Sequence, residues 1–77
     1  MTESETPAFV SSPIVVTPVE RGERPFRVVQ INGETVGIAR DMVDVLRLAH
    51  AAGMHHVDLD DPAMVRWVGG GKYKWST

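Results

Sequence analysis

The sequence predicts an α+β fold: a β-hairpin packed on one amphipathic helix, with a short strand and a C-terminal helical or hairpin element. Three observations predict it. Asn32-Gly33 separates two runs rich in strand formers, and Asn-Gly is the strongest short-range hairpin signal because both residues accept the positive φ of a type I′ turn. Residues 41–52 then change to helical periodicity. Finally, the 77 residues include no cysteine, so neither disulfides nor thiolate-bound zinc supply stability.

Residues 1–23 read as a flexible tail. They hold Pro7, Pro13 and Pro18 with serines and threonines between them, a composition that buries too little apolar surface to offset the entropy of ordering. Within it Ile14-Val15-Val16 is β-branched and flanked by prolines. That suits an edge strand over 14–17, or a segment that orders only on a partner. A single small domain is expected over residues 24–77.

The hairpin spans 26–39. A two-residue loop sets Ile31 opposite Glu34, Val29 opposite Val36 and Arg27 opposite Ile38 on one face. Gln30–Thr35, Val28–Gly37 and Phe26–Ala39 share the other. Both faces are partly apolar, so the pattern leaves open which one meets the core. The helix follows over 41–52: Met42, Val45, Leu46, Ala49 and Ala52 form one stripe with Leu48 at its margin. Asp41 is the expected N-cap, Asp44 complements the positive end of the dipole, and Gly53 is the expected C′ residue.

His55, Val57 and Leu59 alternate as a short strand over 55–59. Pro62 after Asp61 fits the first position of a helix, which favours a helix over 63–68. A strand there, paired with 72–75 across Gly69-Gly70-Gly71, is the other reading. The apolar residues available for a core are Phe26, Val29, Ile31, Val36, Ile38, Met42, Val45, Leu46, Ala49, Val57, Leu59, Met64, Val65 and Trp67.

Little of this pattern supports catalysis or cofactor binding. His56, Asp58 and Asp60 would share a strand face, but successive side chains there lie about 7 Å apart, too far to close on one ion. No metal site is therefore expected. Gly69-Gly70-Gly71-Lys72 lacks the earlier glycine, the following Ser/Thr and the downstream helix of a phosphate loop. Ser4, Ser11, Ser12 and Ser76 lie in tail-like segments with no base beside them. The chain is expected to be no enzyme, with no catalytic residues, no cofactor and no small-molecule substrate.

The C-terminal stretch carries the expected interaction surface: Trp67, Tyr73 and Trp75 interleaved with Arg66, Lys72 and Lys74. Aromatics among cations suit a protein interface, or single-stranded nucleic acid held by stacking and phosphate pairing. The net charge of −2 weighs against indiscriminate nucleic-acid binding. Signs alternate in blocks: residues 41–61 set five aspartates against Arg47, whereas residues 62–77 carry Arg66, Lys72 and Lys74. No run approaches the roughly 20 apolar residues of a membrane helix, and the acidic MTESETPAF lacks the pattern of a secretion signal. A cytoplasmic protein with no membrane partner is expected.

A domain this small stands at the edge of independent stability, and one helix covers only one face of a hairpin. The function expected is a non-enzymatic protein-interaction or regulatory module that self-associates, its partner being a protein or a second copy in a homodimer. A nucleic-acid-binding accessory role through the C-terminal aromatic-basic segment stands as the alternative.

Overall fold

A computed structural model describes residues 12–76. Among these described residues are four strands and one helix: β1 (Ile14–Val16), β2 (Arg27–Ile31), β3 (Glu34–Ala39), α1 (Met42–Ala51) and β4 (Val65–Trp67). The strands form one mixed sheet in the order β3-β2-β1-β4, with β1 antiparallel to β2 and parallel to β4. The hairpin packs on the helix in the expected α+β arrangement.

The turn of that hairpin is local chemistry. Asn32 and Gly33 sit at φ 51° and 83°, the left-handed values of a type I′ turn. The register starts as expected, with Ile31 opposite Glu34 and Gln30 opposite Thr35, and then slips. Val36 is left without a partner, so Val29 pairs with Gly37, Val28 with Ile38 and Arg27 with Ala39. One extra residue in a strand exchanges the faces of everything beyond it. The bulge therefore sends Ile38 to the outer face and brings the small residues Gly37 and Ala39 beneath the helix.

Helix α1 has the expected ends. The Asp41 carboxylate accepts from the Asp44 amide at 2.9 Å, and Asp44 accepts from the Arg40 amide at 3.0 Å. At the other end the Gly53 amide donates to His50 and the Met54 amide to Ala49, at 2.9 and 3.0 Å, the paired bonds of a Schellman motif. The buried stripe is narrower than the periodicity suggests. Val45 and Ala49 are enclosed, whereas Leu46 is 39% exposed and Ala52 is exposed. Leu48, at the expected margin, packs over Gly37, where a β-carbon would meet its Cδ2 at 3.0 Å.

Three expectations are corrected. First, Ile14–Val16 is no edge strand; it lies inside the sheet, hydrogen-bonded to neighbours on both sides, with Ile14 and Val16 at 0% exposure. Ordered structure thus includes residues N-terminal to 24, while residues 1–11 of the expected tail lie outside the described residues. Second, residues 55–59 form no strand. Asp58 accepts from the Asp60 amide and Asp61 from the Ala63 amide, both at 2.9 Å, and such local side-chain bonds replace ladder pairing with turns. Val57 and Leu59 still pack against the core from this loop. Third, the helix favoured over 63–68 is a single turn, closed by the Val65 amide on the Asp61 carbonyl at 2.9 Å. The chain then becomes β4, which pairs with 14–16 rather than with 72–75.

The core consists of Ile14, Val16, Val29, Ile31, Ala39, Val45, Ala49 and Val65. All the strand residues among them share the inner face of the sheet. Helix α1, the 54–64 loop and the C-terminal segment cover that face. The outer face carries Val15, Val28, Gln30 and Ile38, with Phe26 and Arg66 at its ends, by the alternation of the paired strands.

Candidate functional site: an arginine-centred C-terminal clasp

Strand β2 points Arg27, Val29 and Ile31 inward. Arg27 is the one charged residue among those buried, at 0% exposure. Its guanidinium lies where the C-terminal segment turns back over the sheet. Nε donates to the Thr17 carbonyl at 2.7 Å, Nη1 to Gly71 and Lys74 at 2.8 Å each, and Nη2 to Val68 and Gly70 at 3.0 and 2.7 Å. A guanidinium has five N–H donors, so every one is satisfied by a backbone carbonyl.

Two indoles flank the cation. Its central carbon lies 5.3 Å from the ring centroids of both Trp67 and Trp75. The two rings meet edge to face at 6.2 Å and 87°, the arrangement aromatic quadrupoles favour. Trp67 Nε1 donates to the Leu59 carbonyl at 3.0 Å and Trp75 Nε1 to the Lys72 carbonyl. Among the described residues the ion pairs are Arg47–Asp44 and Lys72–Asp60; Arg27 belongs to neither. Carbonyl dipoles and π faces balance its charge instead. Burial lowers its pKa from the ordinary arginine value.

The loop that supplies these carbonyls depends on glycine. Gly69 and Gly70 have φ values of 77° and 142°. A β-carbon on Gly69 would lie 2.8 Å from the Pro18 ring. Gly69→Ala is therefore expected to cost about 1–3 kcal/mol, combining left-handed strain with a backbone-side clash; urea unfolding of the variant measures it.

The six residues expected to form one interaction surface separate into different environments. Trp67 and Trp75 turn inward onto Arg27, each half-buried. Tyr73 is 78% exposed, with Lys72 Nζ 5.1 Å from its ring centroid. Lys72 also pairs with Asp60, whose carboxylate, accepting a hydrogen bond from it, holds the ammonium above its ordinary pKa. Lys74 is exposed and lends only its carbonyl to Arg27. Arg66 is exposed on the outer face of the sheet, in register with Val15. An open cleft of about 580 Å³ along β4 is lined by Ser12, Leu59, Asp60, Pro62, Val65, Arg66, Trp67 and Lys72.

The histidine–aspartate run disperses as well. Asp58 caps a turn and Asp60 holds Lys72. His55 instead packs edge to face against His50, at 4.6 Å between centroids. Among the described residues no three of His, Asp and Glu gather around a common point.

Sequence reasoning missed Arg27 as the organiser of the C-terminus. One signal was present: Arg27 is in phase with Val29 and Ile31, so whichever face those residues bury also buries a cation that needs acceptors. Comparison with family models, curated proteins and solved structures gives no match. Among the described residues no helix is long and apolar enough to cross a membrane.

Proposed function

We propose that this chain is a small non-enzymatic protein-interaction module, acting in the cytoplasm, that self-associates through the outer face of its sheet. One observation carries the reading. The inner face is covered by α1, the 54–64 loop and the C-terminal clasp, whereas on the other face half-buried Val28 pairs with Ile38, itself 42% exposed, and half-buried Val15 shares that face between Gln30 and Arg66. Adjacent apolar side chains on one sheet face are what a second sheet covers in a sandwich. The bulge at Val36 strengthens the reading, because it places Ile38 beside Val28 rather than over the core.

Sedimentation velocity tests it. The wild-type chain is expected to sediment as a dimer at tens of micromolar, and Ile38→Asp to raise the dimer Kd by about tenfold or more, since an unpaired charge would be buried at the contact. The substitution lies outside the core, so the thermal midpoint of the monomer should hold. A wild-type chain that stays monomeric at millimolar concentration rejects the proposal.

A nucleic-acid-binding role remains the second reading, supported by the exposure of Tyr73 between Lys72 and Lys74. It expects affinity for a single-stranded oligonucleotide that falls steeply with salt and drops on Tyr73→Ala. Fluorescence anisotropy that shows no binding at low salt removes it.

A further inference from the structure

We infer that residues 67–75, closed by the Thr17 carbonyl, form a receptor for one guanidinium group that is occupied in cis by Arg27. Four of the five acceptors, on Val68, Gly70, Gly71 and Lys74, come from one short loop, and both flanking rings come from its two ends. The acceptors are backbone atoms, fixed by a glycine-dependent loop and by pairing of β4 with β1, so the cavity is defined by the main chain around it. Its chemistry selects a planar, weakly hydrated cation with five donors. An ammonium offers three donors in a tetrahedral arrangement, and a quaternary ammonium offers none. The ligand class is therefore guanidinium and its short alkyl derivatives. Among the described residues no helix or strand follows Trp67; Arg27, the Lys72–Asp60 pair and the packing of Trp75 on the core hold the segment in place.

Arg27→Ala empties the receptor, and ethylguanidinium replaces the atoms removed. Thermal unfolding of the full-length variant is expected to shift upward by about 5 °C or more at ethylguanidinium concentrations near ten times its Kd, by linkage of binding to the folded state. The wild-type midpoint should show no such rise. Ethylammonium and tetramethylammonium at equal ionic strength should leave the variant unchanged. No rise with ethylguanidinium, or an equal rise with ethylammonium, overturns the inference. If the variant alone is unfolded, recovery of its circular dichroism by ethylguanidinium is the same test, and failure to recover counts equally against it. Nuclear magnetic resonance of the ¹⁵N-labelled wild type adds a measurement that needs no variant. Five engaged donors should give separate, slowly exchanging Arg27 Nε and Nη proton signals at neutral pH; one averaged Nη signal overturns the inference.

Discussion

A chain shortened by its first 20 residues is expected not to fold. Composition presents that stretch as a tail, but β1 within it joins the two halves of the sheet. Ile14 pairs with both Ile31 and Val65, and Val16 with both Val29 and Trp67. Burying two such side chains stabilises by about 3–6 kcal/mol, against a total of about 4–12 kcal/mol for a chain of this length. The truncation removes more than those two side chains. Strand β4 loses its neighbour, Val65 loses its cover, and Arg27 loses the Thr17 carbonyl that accepts from Nε. Circular dichroism with thermal melting measures the outcome: a flat, non-cooperative melt is expected, and a sharp transition near the wild-type midpoint would contradict the account. The milder substitution Ile14→Ala should cost about 2–4 kcal/mol in urea unfolding.

Arg27→Lys is expected to cost about 3 kcal/mol or more, although it keeps the charge. An ammonium meets at most three of the five carbonyls now served, and each part-buried acceptor left without a donor costs up to about 1–3 kcal/mol. The cation–π contacts with Trp67 and Trp75 are altered as well, because a compact ammonium replaces the broad guanidinium beside both rings. Arg27→Met, which also removes the charge, leaves all five carbonyls unserved and should be at least as severe. Equilibrium urea unfolding of both variants, with tryptophan fluorescence as the probe, separates shape from charge. If Arg27→Lys falls within 1 kcal/mol of wild type, the fork geometry is not what holds the C-terminus.

The elements that were legible in the sequence have causes lying within a few residues. Asn32-Gly33 adopts the positive φ pair that its composition demands. Asp41 and Gly53 bound the helix because a carboxylate and a glycine satisfy its unpaired amides and carbonyls locally. The misread elements have causes elsewhere in the chain. Nothing near Ile14-Val15-Val16 says that it will have two strand neighbours, since Ile31 and Val65 are 17 and 51 positions away. At 55–59 the partial alternation of His55, Val57 and Leu59 suggests a strand, but the chain instead closes turns through the Asp58 and Asp61 carboxylates, and among the described residues no strand partner lies beside it. The aromatic-basic surface dissolved for a similar reason. Its two tryptophans met a buried cation some forty residues upstream, leaving Tyr73 and the charged side chains outside.

By itself, then, the amino-acid order determined a tight hairpin, a capped helix after it and the absence of any cysteine-based staple. Tertiary structure alone decided that 14–16 would be an inner strand, that a bulge would turn Ile38 outward, and that Arg27 would gather the C-terminus around it. The division follows from range: turns and caps are satisfied by atoms that are already neighbours along the chain, whereas strand order and the fate of a buried charge depend on which distant backbone groups come within hydrogen-bonding reach.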